Sequence, residues 1–347
     1  MSKKVTPLTA RSADPYMKLQ PELLSRIHNL MVKGRVLEER LIKMSKGGDG
    51  FFWIGGPGEE GFNVPLGLQV KKGRGVQHDY LHLHYRSSSI MLAMGAQPID
   101  TIRQMRTTIT DPYSKGRNFV NHYAIPEWNV CPVSPTIETQ YSTCIGTGIA
   151  QARSKSDGLT IVNGGDAGTA EGDFHSCLVW ANRPALPLPI LIIVVNNGFG
   201  ISTPAHEQHG EKHISDWAKP FNMPAKTING NDPVEAWFAI EEAMNYVRKE
   251  RKPYMIEALT SRLHGHSSSS GANRVNEPDC ISIFEENLLK RDLISKEEIQ
   301  KHWDENRKEC DVAYAQVKTE PYPQAEDIWT DVFVDGLDDS YPKKGGS

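Results

Sequence analysis

The sequence predicts an α/β fold, a doubly wound and mostly parallel sheet with helices on both faces and with helical extensions at the N- and C-terminal ends. Residues 159–164 predict a buried strand, and residues 189–195 predict another, which is continuous in apolar side chains as strands of parallel sheets are. Helical and strand patterns then alternate, with a helix-like segment at 171–183, a candidate third strand at 225–230 and a further strand at 253–259. No linker or internal repeat divides the 347 residues, so we expect a single domain.

Helical and flexible segments flank this α/β body, which we place at residues 20–335. Residues 1–19 are expected to be a loose arm without the hydrophobic segment of a secretory signal. Residues 21–45 predict an amphipathic helix, because the apolar side chains fall mostly on one face: Leu23, Leu24, Ile27, Leu30, Met31, Leu37, Leu41 and Ile42. Residues 281–318 are charged and helical in pattern, and residues 336–347 are expected to be a flexible tail.

Two segments carry conformational signals at single residues. Residues 232–249 predict a helix with a defined start, since Asp232 can cap it, Pro233 suits the first turn and Glu235 completes a capping-box-like pattern. Residues 47–62 are dense in glycine and aromatic side chains. Such a loop lets the backbone approach a ligand closely, although a plain surface loop can have the same composition.

Composition excludes several classes of protein. A net charge of −4 gives no reason to expect nucleic acid or a membrane surface as a partner. The longest apolar run, residues 190–195, is far too short to span a bilayer. The five cysteines are odd in number and show no C-x-x-C spacing, so we expect neither a disulfide framework nor a zinc site. A reducing compartment fits this pattern, and we expect a cytoplasmic protein.

Polar residues follow two predicted strands at the point where each strand ends. Asp166 follows the first, and Asn196 and Asn197 follow the second. Because ligands of doubly wound sheets bind beyond the carboxyl ends of the strands, we expect these groups to meet. Carboxylate, amide and carbonyl oxygens suit Mg²⁺ or Ca²⁺, and phosphate oxygens normally complete the shell of Mg²⁺. The pattern therefore suggests a metal-bridged diphosphate, although each strand-end signal alone is a common turn.

The loop after the first strand favours phosphate over a dinucleotide of the NAD type. Gly164, Gly165 and Gly168 leave the backbone bare, and the helix start near Glu171 could add its dipole. The sequence GGDAGTAEG contains no G-x-G-x-x-G, because Ala167 stands two residues after Gly165.

The order of these motifs resembles a known family. The Gly-Asp and Asn-Asn pairs are similar to the thiamin-diphosphate fingerprint, and their surroundings resemble the α subunit of the E1 component of 2-oxoacid dehydrogenases of the branched-chain, pyruvate or acetoin type. Three further stretches carry the resemblance: GEEG at 58–61, HYR at 84–86 and SRLHGHS at 261–267. The similarity runs from about residue 20 to about residue 335, and it implies the thiamin-diphosphate-binding fold.

The resemblance implies a cofactor and a metal site. Thiamin diphosphate would bind with Mg²⁺, whose ligands would be the side chains of Asp166 and Asn197 and the backbone oxygen of Phe199. The residues that would contact the cofactor are Tyr85, Arg86, Ser134, Gly165, Asp166, Ala167, Gly168, Asn197, Arg262 and His266. Among them Arg86 and Arg262 would neutralise the diphosphate.

Other roles carried by the resemblance are less direct. His266 would act as the catalytic residue near the reacting carbon, orienting substrate or moving a proton. Glu59 and Glu60 would help to shape the site, and Ser134 matches only with a one-residue shift of the alignment. Without the family, the pair Tyr85 and Arg86 would be interpreted as surface residues, and His264 and His266 as ordinary loop histidines.

Several residues depart from the family pattern. Ala167 replaces the usual third glycine, and an alanine does not readily adopt positive φ. Ser87, Ser88 and Ser89 stand where relatives often have an acidic and a small residue, and Ser270 lies in HSSSSG, which lacks the Asp that commonly follows His-Ser. Ser267, in the same loop, matches a serine that is phosphorylated in eukaryotic relatives, where a dianion beside the diphosphate would repel it.

The implied activity is oxidative decarboxylation of a 2-oxo acid, with transfer of the acyl unit to a lipoylated E2 core. The glutamate that activates the cofactor belongs to the β subunit in this family, so we expect an α₂β₂ heterotetramer. GEEG and NNGF-x-ISTP favour branched-chain 2-oxo acids, whereas RLHGHS favours a pyruvate or acetoin enzyme. A transketolase-like carbon transfer and a non-catalytic cofactor-binding subunit remain as alternatives.

Overall fold

The computed structural model describes residues 14–331 and contains a five-stranded parallel sheet. The described residues form seven strands, five in this sheet and two in a separate hairpin. They are β1 (Tyr80–His82), β2 (Thr160–Gly165), β3 (Ile190–Asn196), β4 (Phe199–Gly200), β5 (Thr203–Pro204), β6 (Ala225–Asn229) and β7 (Tyr254–Leu259). The order in the main sheet is β1-β2-β3-β7-β6, and β4 pairs with β5 in a small antiparallel hairpin.

Nine α-helices surround the sheet within the described residues. They are α1 (Pro21–Gly47), α2 (Glu60–Gln69), α3 (Ser88–Met94), α4 (Pro98–Met105), α5 (Thr139–Ser154), α6 (Gly172–Ala181), α7 (Pro233–Glu250), α8 (Cys280–Lys290) and α9 (Lys296–Val317). Across residues 14–331, no helix combines the length and the apolar character needed to cross a membrane.

The central strands are covered on both faces, as the continuous apolar runs predicted. In β3, Ile193 belongs to one core together with residues of α2 and α7, whereas its neighbour Ile192 belongs to a second core with residues of α5 and α6. Successive side chains of a strand point to opposite faces, so both sets must be apolar when helices lie on both sides. The predicted doubly wound α/β fold is therefore confirmed.

The register brings the ends of the middle strands to one level. Gly165 at the end of β2 pairs with Val195 of β3, and Asn196 pairs with Leu259 at the end of β7. Asp166 and Asn197 come directly after these strand ends. The parallel arrangement thus brings together the polar residues that the sequence analysis singled out.

The predicted helix at 232–249 forms as α7 with the predicted cap. The carboxylate of Asp232 accepts the backbone N–H of Val234 at 2.9 Å, and Pro233 is the first helical residue. Glu235 does not close the box on Asp232; its side chain accepts the backbone N–H of Asn229, at the end of β6, at 3.1 Å. The candidate third strand is β6, and the charged segment 281–318 is divided between α8 and α9.

Two expectations need correction. The part of the predicted loose arm that the structure describes, residues 14–19, is packed: Tyr16 is buried, and its hydroxyl donates to Asp232 at 3.0 Å. The sequence analysis placed no element between residues 63 and 158, where β1 and α3 to α5 lie. These elements are short or lack a clear period. Residues 1–13 and the predicted tail, 336–347, lie outside the described residues.

Candidate active site at the carboxyl edge of the sheet

A cleft of about 220 Å³ lies where the segments after β1, β2 and β3 meet the residues that precede α5. The predicted site residues that line this cleft are Tyr85, Arg86, Gly165, Asp166, Ala167, Gly168, Phe199 and His266. The fold therefore gathers, at the carboxyl edge of the sheet, residues that are far apart in the sequence.

Asp166 is a buried carboxylate of this cleft, with only 1% of its surface exposed. Its Oδ2 atom has no hydrogen-bond partner among the described residues. Burial raises the pKa of Asp166, while the charge of Arg86 and the backbone N–H of Asn197 oppose that rise. A buried carboxylate oxygen without a partner costs free energy, so this atom is suited to meet a cation.

Asn197 lies beside the cleft and is oriented by its own loop. Its Oδ1 accepts the backbone N–H of Phe199 at 3.2 Å, and its Nδ2 donates to Glu59 at 3.3 Å. The amide oxygen therefore faces the start of the β4–β5 hairpin, where Phe199 lines the cleft.

Arg86 carries the positive charge of the cleft and is 8% exposed. Its Nε lies 2.5 Å from Oε1 of Glu59. A Cβ atom on Gly165 would lie 2.6 Å from Nη2 of Arg86, so the bare glycine is needed for the guanidinium to lie against this loop. Arg86 stays charged because Glu59, Asp166 and Glu138 supply compensating negative charge.

Glu138 was missed by the sequence analysis. It directly precedes α5 with a left-handed backbone (φ 65°), and its carboxyl group accepts the backbone N–H of Gly165 at 3.1 Å and the Nε2–H of Gln140 at 2.9 Å. A Cβ atom on Gly164 or Gly168 would overlap this carboxyl group. Burial raises the pKa of Glu138 to about 8. Nothing in the sequence IETQ distinguishes this glutamate from an ordinary residue at a helix start.

Three histidines surround the ring of Tyr85 on the other side of the cleft. The ring centroids of His84, His122 and His266 lie 3.7, 6.3 and 6.1 Å from that of Tyr85. Burial lowers the pKa of His266 to about 4, with further lowering from Arg86 and Arg262. Burial also lowers the pKa values of His84 and His122. All three imidazoles are therefore neutral near pH 7, and the sequence analysis found only His266.

Besides Asn197, two further predicted cofactor residues are not part of the cleft wall. Arg262 lies at its rim, where Nη1 donates to the backbone oxygen of Ile201 at 2.6 Å and the guanidinium lies 4.4 Å from the centroid of the Phe199 ring. Ser134 is half-buried, and its hydroxyl accepts the backbone N–H of Thr136 at 3.1 Å. Ser134, where the family alignment needs a one-residue shift, lies four residues before Glu138.

The comparison with known proteins agrees with this geometry. A model of the family described as dehydrogenase E1 component matches residues 28–326. The chain belongs to this family. It is the α subunit of the E1 component of a 2-oxoacid dehydrogenase, an oxidoreductase, so the family prediction is confirmed. Membership implies thiamin diphosphate as the cofactor, a β subunit and an E2 core.

The matches to three relatives each cover three quarters or more of this E1 chain. The 2-oxoisovalerate dehydrogenase subunit alpha of Bacillus subtilis (strain 168) is 28% identical over 310 residues, which cover 86% of this chain and 92% of that protein. The mitochondrial subunit alpha of the same name from Pan troglodytes is 26% identical over 333 residues, covering 93% and 72%. Subunit alpha 2 from Arabidopsis thaliana is 28% identical over 259 residues, covering 75% and 53%.

The adjacent glutamates of the GEEG motif of this E1 chain have different roles. Glu60 is held by Arg35, whose Nε and Nη2 donate to its two carboxylate oxygens at 2.8 and 3.0 Å, and it also accepts the backbone N–H of Gly58. It therefore fixes the loop to α1. Glu59 instead contacts Arg86 and Asn197, and burial raises its pKa to about 7.

The departures from the E1 family pattern are accommodated locally. Ala167 begins a 3₁₀ turn and is not among the residues with positive φ, so its methyl group causes no backbone strain. Ser88 donates to the buried carboxyl group of Glu38 at 2.6 Å. Ser267 and Ser270 form a capping box around the turn Ser268–Ser270 and so order the loop without the usual Asp. Ser267 itself is buried, with 4% of its surface exposed.

Proposed function

We propose that this E1 α subunit binds thiamin diphosphate through Mg²⁺ and acts on a branched-chain 2-oxo acid in an α₂β₂ assembly. The observation that carries the proposal is the buried Oδ2 of Asp166, which has no hydrogen-bond partner within residues 14–331 and lies beside Arg86 and a glycine loop. A cation would satisfy that oxygen, and the bare backbone of the loop would allow a diphosphate to approach. The residues present therefore fit both groups.

The Mg²⁺ ligands in this proposal are the side chains of Asp166 and Asn197 and the backbone oxygen of Phe199. Within residues 14–331, no group of three or more His, Cys, Asp and Glu side chains is arranged to hold a metal ion. The proposed site therefore depends on amide, carbonyl and diphosphate oxygens beside Asp166. This ligand set is the one that Mg²⁺ prefers when it is shared with phosphate.

The residues of the chain divide the catalytic work. Arg86 neutralises the diphosphate, with Arg262 and Tyr85 supporting it, and Gly165, Ala167 and Gly168 expose their backbone to it. When bound, thiamin diphosphate supplies the nucleophilic carbon and the electron sink that decarboxylation requires. His266, a neutral imidazole in the cleft wall, can accept a proton or donate a hydrogen bond at the reacting end.

A second subunit is needed to complete the site. The cleft of about 220 Å³ is smaller than the roughly 300–1,000 Å³ of a complete small-molecule site. Two of the residues that line it, Ile137 and Ile201, are 53% and 54% exposed. Apolar side chains at the mouth of a polar cleft favour coverage by another protein. We assign that role to the β subunit, with the lipoylated E2 core as the acyl acceptor.

The branched-chain substrate rests on the relatives and on the motifs. The three relatives described above are all named 2-oxoisovalerate dehydrogenase subunit alpha. GEEG and NNGF-x-ISTP support the same choice, while RLHGHS keeps pyruvate and acetoin as alternatives.

All five cysteines are free thiols, which supports a reducing, cytoplasmic location.

The test is release of carbon dioxide by the chain with thiamin diphosphate and Mg²⁺, with and without its β subunit. The panel contains 3-methyl-2-oxobutanoate, pyruvate and acetoin, the last scored by cleavage. We expect release only with the β subunit and with the highest kcat/KM for the branched acid. Highest activity on pyruvate or acetoin would show that the chain belongs to a pyruvate or acetoin enzyme instead. Transfer to an aldose without a lipoyl requirement would indicate transketolase-like chemistry, and an intact but inactive complex would indicate a non-catalytic subunit.

A further inference from the structure

His84 is a buried residue of the cleft to which neither the motifs nor the relatives assign a role. It follows β1 by two residues, is 8% exposed and lines the same cleft as Asp166 and His266. A polar side chain in such a position either supports a neighbour or contacts a ligand. The hydrogen bond made by one of its ring nitrogens bears on this choice.

The Nδ1 atom of His84 is used internally. The backbone N–H of Arg86 donates to it at 3.3 Å, so Nδ1 must carry a lone pair. A neutral imidazole with an accepting Nδ1 carries its proton on Nε2. The turn is fixed from the other side as well, because the backbone N–H of Ser87 donates to the carbonyl oxygen of His84 at 3.1 Å. The ring is therefore held in one tautomer, as an Nε2–H donor.

Burial keeps the imidazole of His84 neutral. Its burial lowers the pKa of the imidazole well below the usual range, and the nearby Arg86, His266 and His122 lower it further. A neutral imidazole with a fixed N–H is a hydrogen-bond donor that does not lose its proton at neutral pH. It is suited to an oxygen that carries or develops negative charge.

The position of His84 indicates which ligand receives this hydrogen bond. The diphosphate end of the cleft is marked by Arg86 and by the carboxyl groups of Glu59, Glu138 and Asp166. His84 instead contacts the ring of Tyr85, which it shares with His266. Tyr85 thus places His84 close to His266, the residue assigned to the reacting carbon.

We propose that His84 donates its Nε2–H to an oxygen of the 2-oxo acid and acts beside His266 as a second substrate-binding imidazole. This inference rests on the proposed function, because the ligand is the substrate of that reaction. The donor would meet either the keto oxygen or the carboxylate, both of which are acceptors. Removing one such bond to a charged group typically costs about 10- to 100-fold in kcat/KM.

The experiment uses two variants in the assembled enzyme with thiamin diphosphate and Mg²⁺. His84→Gln retains an oxygen for the Arg86 N–H and an N–H for the substrate, whereas His84→Phe retains the ring shape alone. We expect kcat/KM for the 2-oxo acid to fall about 10- to 100-fold in His84→Phe and less than about threefold in His84→Gln. The Kd for thiamin diphosphate, from quenching of protein fluorescence, should change less than about twofold in both, because His84 does not meet the diphosphate.

Three results would overturn the proposal. Unchanged kcat/KM in His84→Phe would remove the substrate contact. A raised Kd for the cofactor in His84→Phe, matching its loss of kcat/KM, would show that His84 supports the Arg86 turn instead. A wild-type complex that decarboxylates no 2-oxo acid would overturn the proposed function together with this inference. That result is distinguished from failure of this inference alone, because the wild-type complex is then active and only the effect of the variants differs from the expectation. If His84→Phe does not assemble, His84→Met serves as the second variant without a donor, with the same expectations.

Discussion

The two sides of the cleft handle charge in different ways. On the carboxylate side, Glu59, Glu138 and Asp166 surround Arg86. On the histidine side, His84, His122 and His266 surround Tyr85. The first side holds buried ionisable acids around one guanidinium, whereas the second holds neutral rings.

Burial shifts both sides towards their uncharged forms, but with opposite consequences for binding. It raises the pKa of Glu59 to about 7 and that of Glu138 to about 8, and it lowers the pKa of His266 to about 4. A divalent cation would compensate the carboxylates and make room for a diphosphate. The neutral histidines need no such compensation and can donate hydrogen bonds to the oxygens of a substrate. On the proposed function, the comparison therefore separates a side that would bind charged groups from a side that would hydrogen-bond the substrate or accept a proton.

The largest effect is expected at Asp166. Asp166→Asn keeps the shape of the side chain and removes the charge that a cation requires. We expect Mg²⁺-dependent binding of thiamin diphosphate to weaken by about 100-fold and turnover to fall in parallel. Isothermal titration with Mn²⁺ and the cofactor measures the binding. Asp173→Asn, in the first turn of α6, is the matched control and should bind normally. Normal cofactor affinity in Asp166→Asn would mean that Asp166 does not bind the metal ion.

On the histidine side, His266→Asn should separate catalysis from cofactor binding. Loss of a proton-transferring imidazole typically costs 10²- to 10⁴-fold, so we expect kcat to fall by about 100-fold. The Kd for thiamin diphosphate should change less than about threefold, because the residues proposed to bind the diphosphate, Arg86 and Asp166, lie on the carboxylate side. His264→Asn is the control, since His264 is half-buried against Ala272 and does not line the cleft. Equal losses in the two variants would mean that the loop, and not the imidazole, is required.

A smaller effect tests how Glu138 shapes the carboxylate side. A Cβ atom on Gly168 would overlap the Glu138 side chain, so Gly168→Ala should destabilise the chain by about 2 kcal/mol through overpacking. The double variant with Glu138→Ala should recover most of that loss, as measured by denaturant unfolding. Gly172→Ala is the control, because a Cβ atom there meets nothing within 4 Å. Without recovery in the double variant, the overlap with Glu138 is not what requires glycine.

The carboxylate side was more predictable from the sequence than the histidine side. Asp166 and Asn197 directly follow apolar strands, and strand ends of a parallel sheet share one edge, so local patterns were sufficient. His84 and His122 gave no such signal. β1 has only three residues, and the contacts of both histidines with Tyr85 arise from tertiary packing.

Glu138 shows a second reason for failure. Its left-handed backbone turns the carboxyl group under the loop of Gly164 and Gly168, and non-glycine residues with positive φ are not evident in a sequence. The fold was predicted more fully, since the apolar runs of β2 and β3 and the cap at Asp232 are local features. The short helices between residues 63 and 158 were missed because α3 and α4 span only seven and eight residues.

The smallest effect concerns stability against pH, where buried acids and buried histidines should act with opposite sign. The pKa of His266 is lowered to about 4 in the folded chain. Between about pH 4 and pH 6.5 the unfolded chain therefore binds a proton at this residue that the folded chain does not bind. Its contribution makes the free energy of unfolding fall as the pH falls from 6.5 towards 4. Glu38, a buried acid outside the cleft, has its pKa raised to about 7. Its contribution makes the free energy of unfolding fall as the pH rises from about 4.5 towards 7.

Between pH 5 and pH 6.5 the contributions of His266 and Glu38 to the free energy of unfolding have opposite slopes. A variant that removes one group should therefore leave the slope of the other group visible. Without cofactor, His266→Asn should make stability fall more steeply as the pH rises, and Glu38→Gln should shift the slope the other way. We expect each change to be roughly 1 kcal/mol over this interval, after allowance for the partial exposure of His266. Urea unfolding at several pH values measures the slopes, and the other titrating groups cancel in the comparison with wild type. Slopes that change in the same direction would mean that burial does not keep the histidine side neutral.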